Sequence, residues 1–191
     1  MTLTLPSDLR LSPDQFAAVC AANPEAVLEL DADGHLITMT PTGGDTSTRN
    51  QTLGALLWLA VRRSGLALKV FDSSGGFLLP DGSVRSPDAS LVRLERWQAL
   101  SGEQRRGFPP LCPDLVVELA SPSDRAADLR RRMAAYQANG ASLGWLLFPD
   151  EQAVEEWGPA GNGRRIEAAE RLDAGTVFPR LDLELAEIWE G

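Results

Sequence analysis

The stretch from Asp114 to Gly140 constrains this chain most. A β-rich run, Asp114-Leu115-Val116-Val117-Glu118-Leu119, passes through Ser121-Pro122-Ser123-Asp124 into a helix-forming segment that reaches Asn139 and Gly140. Aliphatic and β-branched residues in succession favour a strand, the Ser/Pro/Asp cluster favours a loop, and a strand feeding a helix is the building unit of α/β folds. Asp124 is expected to cap the helix. Beyond it, Leu143 to Phe148 and Ala153 to Trp157 read as a hairpin around Pro149-Asp150, and Gly158 to Gly163 as a turn-rich loop.

The flanking sequence is consistent with that class. Ser12-Pro13-Asp14-Gln15 has the form of a capping box and opens a helix that ends before Asn23-Pro24. Ala26 to Leu30 and Leu36 to Met39 form a hairpin in which Gly34 supplies the positive φ. From Thr46 to Ser64, Leu53, Leu56, Leu57 and Ala60 recur at helical spacing, and Gly65 closes the helix. Ala67 to Phe71, Gly76 to Leu79 and Ser83 to Val92 read as strands, Leu94 to Leu100 as a helix, and Phe178 to Trp189 as a closing strand and helix. No repeat or linker divides the chain, so one domain over residues 1–191 is expected.

Composition removes several function classes. The chain has no apolar run of the ~18 residues that a membrane helix needs, and its opening lacks both a basic and an apolar signal region, so a cytoplasmic location is expected. Cys20 and Cys112 belong to no metal-binding spacing and read as buried thiols, and His35, the only histidine, allows no histidine-based triad. The net charge of −9 disfavours indiscriminate binding of polyanions. Lys69 is the sole lysine among 18 basic residues, so carboxylates must carry any chemistry.

Asp88, in Arg85-Ser86-Pro87-Asp88-Ala89-Ser90, and Glu118 are both embedded in strand-like sequence, where at least partial burial is expected. Alternation places Leu115, Val117 and Leu119 on one face and Val116, Glu118 and Ala120 on the other. An ionised carboxylate in such surroundings needs a cation, either an arginine or a metal. Two carboxylates on adjacent strands suit Mg²⁺, which takes oxygen ligands. Sorting the next helix at about 100° per residue puts Arg125 and Arg132 beside the inward stripe of Leu129, Met133 and Tyr136, and turns Arg130 and Arg131 to solvent.

These residues resemble a known group. Ser86-Pro87-Asp88, Pro113-Asp114-Leu115-Val116-Val117-Glu118-Leu119, Ser121-Pro122-Ser123-Asp124, Tyr136 and Gly144-Trp145-Leu146-Leu147 are similar to motifs of the Uma family, a branch of the PD-(D/E)XK superfamily. The resemblance extends from Leu28-Glu29-Leu30 to Ile188-Trp189. It implies an α/β, restriction-endonuclease-like mixed sheet flanked by helices with extra β-hairpins. It further implies Asp88 and Glu118 as metal-binding acids, the Leu119 carbonyl as a further ligand, Mg²⁺ or Mn²⁺ as the ion, and phosphodiester hydrolysis of nucleic acid, most simply DNA. Glu29 resembles another acidic family position, although its own strand leaves it expected as an exposed carboxylate. Where the family often carries a lysine this chain has Arg132, the position after Glu118 and Leu119 is Ala120, and the family histidine near Asn50 is absent.

The expected function is therefore a metal-dependent endonuclease in which Asp88 and Glu118 hold the ion and Arg132 steadies developing charge. Cutting both strands would require two sites and hence a homodimer. The rival expectation is a nuclease-like binding protein in which an arginine neutralises Glu118 and no metal enters.

Overall fold

A computed structural model describes residues 6, 8–158 and 163–190 of the chain. The first helix, α1 (Pro13–Ala22), begins with the reciprocal pair that the sequence predicts: Ser12 Oγ accepts from the Gln15 N–H at 3.2 Å, and Gln15 Oε1 accepts from the Ser12 N–H at 2.8 Å. The strands β1 (Leu28–Leu30) and β2 (Leu36–Thr38) form the predicted hairpin, with Gly34 at φ +83°. The long helix α2 (Gly44–Ser64) buries Leu53, Leu57 and Ala60, leaves Leu56 half-buried, and stops at a left-handed Gly65.

Next come β3 (Leu68–Asp72), β4 (Phe77–Leu78), β5 (Val84–Arg85) and β6 (Ala89–Arg93). The stretch from Ser83 to Val92 reads as one strand in sequence, yet it forms two strands belonging to different sheets. Pro87 is the reason: it has no N–H to give a ladder, so pairing breaks at 86–88 and the chain passes from one sheet to the other. The helix α3 (Leu94–Ala99) follows as expected. A short α4 (Gly102–Arg106) is an addition, although its Ser101/Gln104 capping box is a sequence signal of the same kind as that of α1.

The central unit is β7 (Leu115–Leu119), α5 (Ala126–Ala138) and β8 (Leu143–Phe148), followed by β9 (Ala153–Trp157) across a single 3₁₀ turn at Pro149–Glu151. β7 and β8 run parallel, which obliges the chain to cross over between them, and α5 is that crossover. Asp124 does not cap it. Its carboxylate instead accepts from the Ser121 N–H and hydroxyl at 2.8 and 2.6 Å, and Arg125 takes the N-cap position. Beyond β9, part of the expected loop (159–162) lies outside the described residues, and β10 (Gly163–Ile166) adds an edge strand. The chain closes with β11 (Arg171–Asp173), β12 (Asp182–Glu184) and α6 (Ala186–Glu190); β11, with one buried residue, had no readable pattern.

Six strands form the main sheet in the order β10-β9-β8-β7-β6-β3, all neighbours except β7 and β8 being antiparallel. Alternation sorts its faces as the sequence predicts. Leu115, Val117, Leu119, Trp145 and Leu147 pack with Leu53, Leu57 and Ala60 of α2 and with Ile188 of α6. Val116, Leu146 and Phe148 pack with Leu129, Met133 and Tyr136 of α5. A second sheet, β2-β1-β5-β4, has its own small core of Phe16, Leu30 and Val84. The result is a mixed sheet flanked by helices, with extra β elements beside it. No helix among the described residues is long and apolar enough to cross a membrane.

Candidate functional site

The β6/β7 register brings the two singled-out carboxylates together. Ala89 pairs with Val117 and Ser90 with Val116, so one further antiparallel step sets Asp88 beside Glu118. Asp88 is not inside a strand, as its sequence context indicates, but in the break that Pro87 creates ahead of β6. There its Oδ2 accepts from the Leu119 N–H at 2.8 Å and its Oδ1 from the Asn50 side-chain amide at 3.3 Å. Glu118 lies within β7, 3% exposed, its Oε1 accepting from the Tyr136 hydroxyl at 2.9 Å. Burial on both faces of β7 follows from α2 on one side and α5 on the other.

Arg132 reaches the same place from α5, where helical spacing turns it inward with Tyr136. Its Nε is 3.5 Å from Glu118 Oε1, and its terminal nitrogen pairs with Glu29 of β1. Glu29 corrects an expectation: it is 1% exposed instead of lying on the surface. Its carboxylate also accepts from Arg85 at 3.1 Å and from the Ser86 N–H at 2.8 Å. Alternation along a three-residue strand could not reveal this, because the burying partners come from β5 and from α5, far along the chain.

The other arginines fall as the helix angles predict only in part. Arg131 is exposed and pairs with Asp128 within its own helix. Arg125 is exposed at the N-cap and does not enter the cluster. Arg130 is not merely solvated, since it grips the buried Glu155 of β9 through its Nε at 3.0 Å to both oxygens. Asp114, at the opposite end of β7 from Glu118, serves structure: it accepts from the Arg93 N–H at 2.8 Å and pairs with Arg96 at 2.9 Å. Cys112 is buried and Cys20 half-buried, both as free thiols.

The electrostatics of the cluster are set by burial. Removal from water pushes Glu118 up to about 8; nearby Asp88 and Glu29 add to the rise, while Arg132 and the Tyr136 hydroxyl oppose it. Burial likewise raises Asp88, against the Leu119 N–H, Arg132 and Asn50. Desolvation works to lower the Arg132 guanidinium, but Glu118, Tyr136 and Glu29 together outweigh it and hold its proton more firmly than usual. Three carboxylates, Glu29, Asp88 and Glu118, thus share two arginines, Arg85 and Arg132, and burial together with this excess of acid favours the neutral form of Glu118 and Asp88.

Asp88, Glu118, Leu119, Asn50 and Arg132 all line a cavity of about 600 Å³ at the C-terminal end of β7, walled by the loop that leads into α2 and by the loop at 121–124. The donor set suits a hard divalent ion: two carboxylates and, beside them, Asn50 Oδ1, a buried oxygen with no hydrogen-bond partner among the described residues. Asn50 escaped the sequence reading, and only its place where the family histidine is absent pointed to it. The described residues hold one group of three potential ligands within 4.8 Å, Asp31, Asp33 and His35 in the β1–β2 turn. There Asp31 is occupied in accepting the Asp33 and His35 N–H groups at 2.9 and 2.8 Å.

Comparison with curated proteins finds no match. Among solved structures, one titled "Crystal structure of a putative nuclease belonging to DUF820 from Anabaena variabilis ATCC 29413" superposes with a TM-score of 0.74. It is 18% identical, and the match covers 94% of this chain and 98% of that one, which establishes a shared fold. The model of the Uma2 family, described as "Putative restriction endonuclease", matches residues 13–186, a span that contains Glu29, Asp88, Glu118 and Arg132 alike. With motif order, sheet topology and this match in agreement, the chain belongs to the Uma2 family of restriction-endonuclease-like proteins.

Proposed function

We propose that this chain is a divalent-metal-dependent phosphodiesterase acting on nucleic acid, with DNA as the first substrate to try. The observation that supports the reading most is the meeting of Asp88, Glu118 and Arg132 on one open cavity, next to an unbonded Asn50 oxygen. Asp88 and Glu118 would hold Mg²⁺ or Mn²⁺, with the Leu119 carbonyl as a further oxygen. Held there, such an ion would offset negative charge on phosphoryl oxygens and lower the pKa of a bound water.

The chain's own groups account for the remainder. The Leu119 N–H and Asn50 hold Asp88 in place before substrate arrives, so little reorganisation is required. Arg132 keeps its proton and cannot act as an acid or a base; its planar fork instead steadies charge on the phosphate oxygens, a role for which Glu29 positions it. Cutting both strands of a duplex calls for a second copy of the chain.

A second reading has its own support. Glu118 Oε1 already holds the Tyr136 hydroxyl and faces Arg132, so the cluster has internal partners and suits a nuclease-like binding protein without metal. Calorimetric titration with Mn²⁺ and Mg²⁺ separates the two. The nuclease reading expects binding heat in wild type that Asp88→Asn and Asp88→Ala both abolish, and metal-dependent nicking of plasmid or oligonucleotide that is lost in Asp88→Ala and Glu118→Ala. A silent wild type favours the binding protein.

A further inference from the structure

Resting on the phosphodiesterase reading above, we propose that the cavity takes a short or single-stranded phosphodiester, such as a dinucleotide or a strand end, in preference to the interior of a duplex. The first argument is charge. Asp45, Asp88, Glu118 and Asp124 line the cavity, and Arg132 is the one cation among its lining residues. That cation is already shared between Glu29 and Glu118. A duplex carries about one negative charge per 1.7 Å of axis, and proteins that grip it neutralise many phosphates with Lys and Arg. Here the acids at the mouth, Asp45 and Asp124, are both exposed and would face the phosphates flanking the one at the centre. A bound divalent ion relieves that repulsion at a single phosphate only.

The second argument is what the wall offers in place of cations. Thr38, Thr40, Thr42 and Thr46 line the cavity with hydroxyls, which donate to and accept from phosphate and sugar oxygens without adding charge, while the Ser121 and Ser123 hydroxyls on the facing loop are bonded to Asp124 and to each other. Gly43 and Gly44 also line it, at the start of a 21-residue helix whose N-cap has no side-chain partner, and nothing lies within 4 Å of where their Cβ atoms would be. The first N–H groups of a helix have no partner within it, and this start has no side-chain cap to take them, which leaves them for a ligand oxygen. Neutral donors of this kind suit one or two phosphates. The volume agrees: about 600 Å³ lies in the range of recesses that enclose one small ligand.

The test is a substrate series at fixed Mn²⁺ or Mg²⁺: a dinucleotide, a single-stranded oligonucleotide, the same oligonucleotide as a duplex, and closed circular plasmid. The expected result is kcat/KM for the dinucleotide and single strand at least roughly tenfold above the duplex, with a log–log salt slope shallower than about −2, as for two phosphates contacted. Asp45→Lys is expected to raise the ratio of duplex to dinucleotide turnover by roughly tenfold, because it reverses the field at the mouth. Plasmid or duplex cut as fast as the short substrates, or a steep slope, overturns the preference while leaving the phosphodiesterase intact. No hydrolysis of any member by wild type overturns the phosphodiesterase reading, and the preference with it.

Discussion

Arg132 is the residue on which the cluster turns. It faces two carboxylates, Glu29 and Glu118, that are 1% and 3% exposed. Removing one partner of a buried ion pair leaves a charge with neither water nor counter-ion, and such changes cost about 3–5 kcal/mol. Arg132→Met takes away the cation that faces Glu118, while Glu29 keeps Arg85, so it is expected to lower the urea-denaturation free energy toward the lower end of that range, about 3 kcal/mol. Arg132→Lys, which keeps the charge but loses the fork, should recover part of the loss but not the full wild-type value. Helical spacing was enough to turn Arg132 inward, because that property belongs to one element. Spacing could not reveal Glu29 as its partner, since that contact joins a helix packed on the main sheet to a strand of the other sheet, 103 positions apart.

Among the elements, α2 and the stretch around Pro87 show what patterning can and cannot resolve. The repeat of Leu53, Leu57 and Ala60 announces α2 because its buried face follows from periodicity alone. Leu57 is fully buried against the main sheet, so Leu57→Ala is expected to cost about 2–5 kcal/mol, read as a lower denaturation midpoint with an unchanged slope. The stretch from Ser83 to Val92 misleads for a physical reason. Its apolar alternation continues on both sides of Pro87, and only the missing N–H marks the change of sheet. Asp124 misleads similarly, since its carboxylate can satisfy either a helix start or the neighbouring Ser121, and the nearer hydroxyl wins. The strand-to-helix unit that locates the site was legible, as was the β1–β2 hairpin; the pairing of β1 with β5 that brings Glu29 to the site from the other side was not.

At the scale of the whole molecule, the raised carboxyl of Glu118 makes stability depend on pH. Unfolded, the group titrates near 4.5; folded, it does so at about 8. Between those values the folded state holds a proton that the unfolded state has released, so stability falls as pH rises through that window and levels off above it. Asp88, raised in the same direction, adds to the fall. Denaturation of the metal-free protein at about pH 5 and about pH 8 should show the higher stability at the lower pH, and Glu118→Gln should flatten the difference. The contact of Arg132 with both sheets has a dynamic counterpart. Glu29 belongs to the four-stranded sheet and Glu118 to the six-stranded one, and a single guanidinium clasps them. Opening either sheet breaks one arm of that clasp and uncovers Glu118, although Glu29 keeps Arg85 within its own sheet, so amide hydrogens of Leu30 and Leu119 are expected to exchange with deuterium at matched, slow rates. In Arg132→Met the clasp is gone, the two sheets open as separate units, and the Leu30 amide exchanges first.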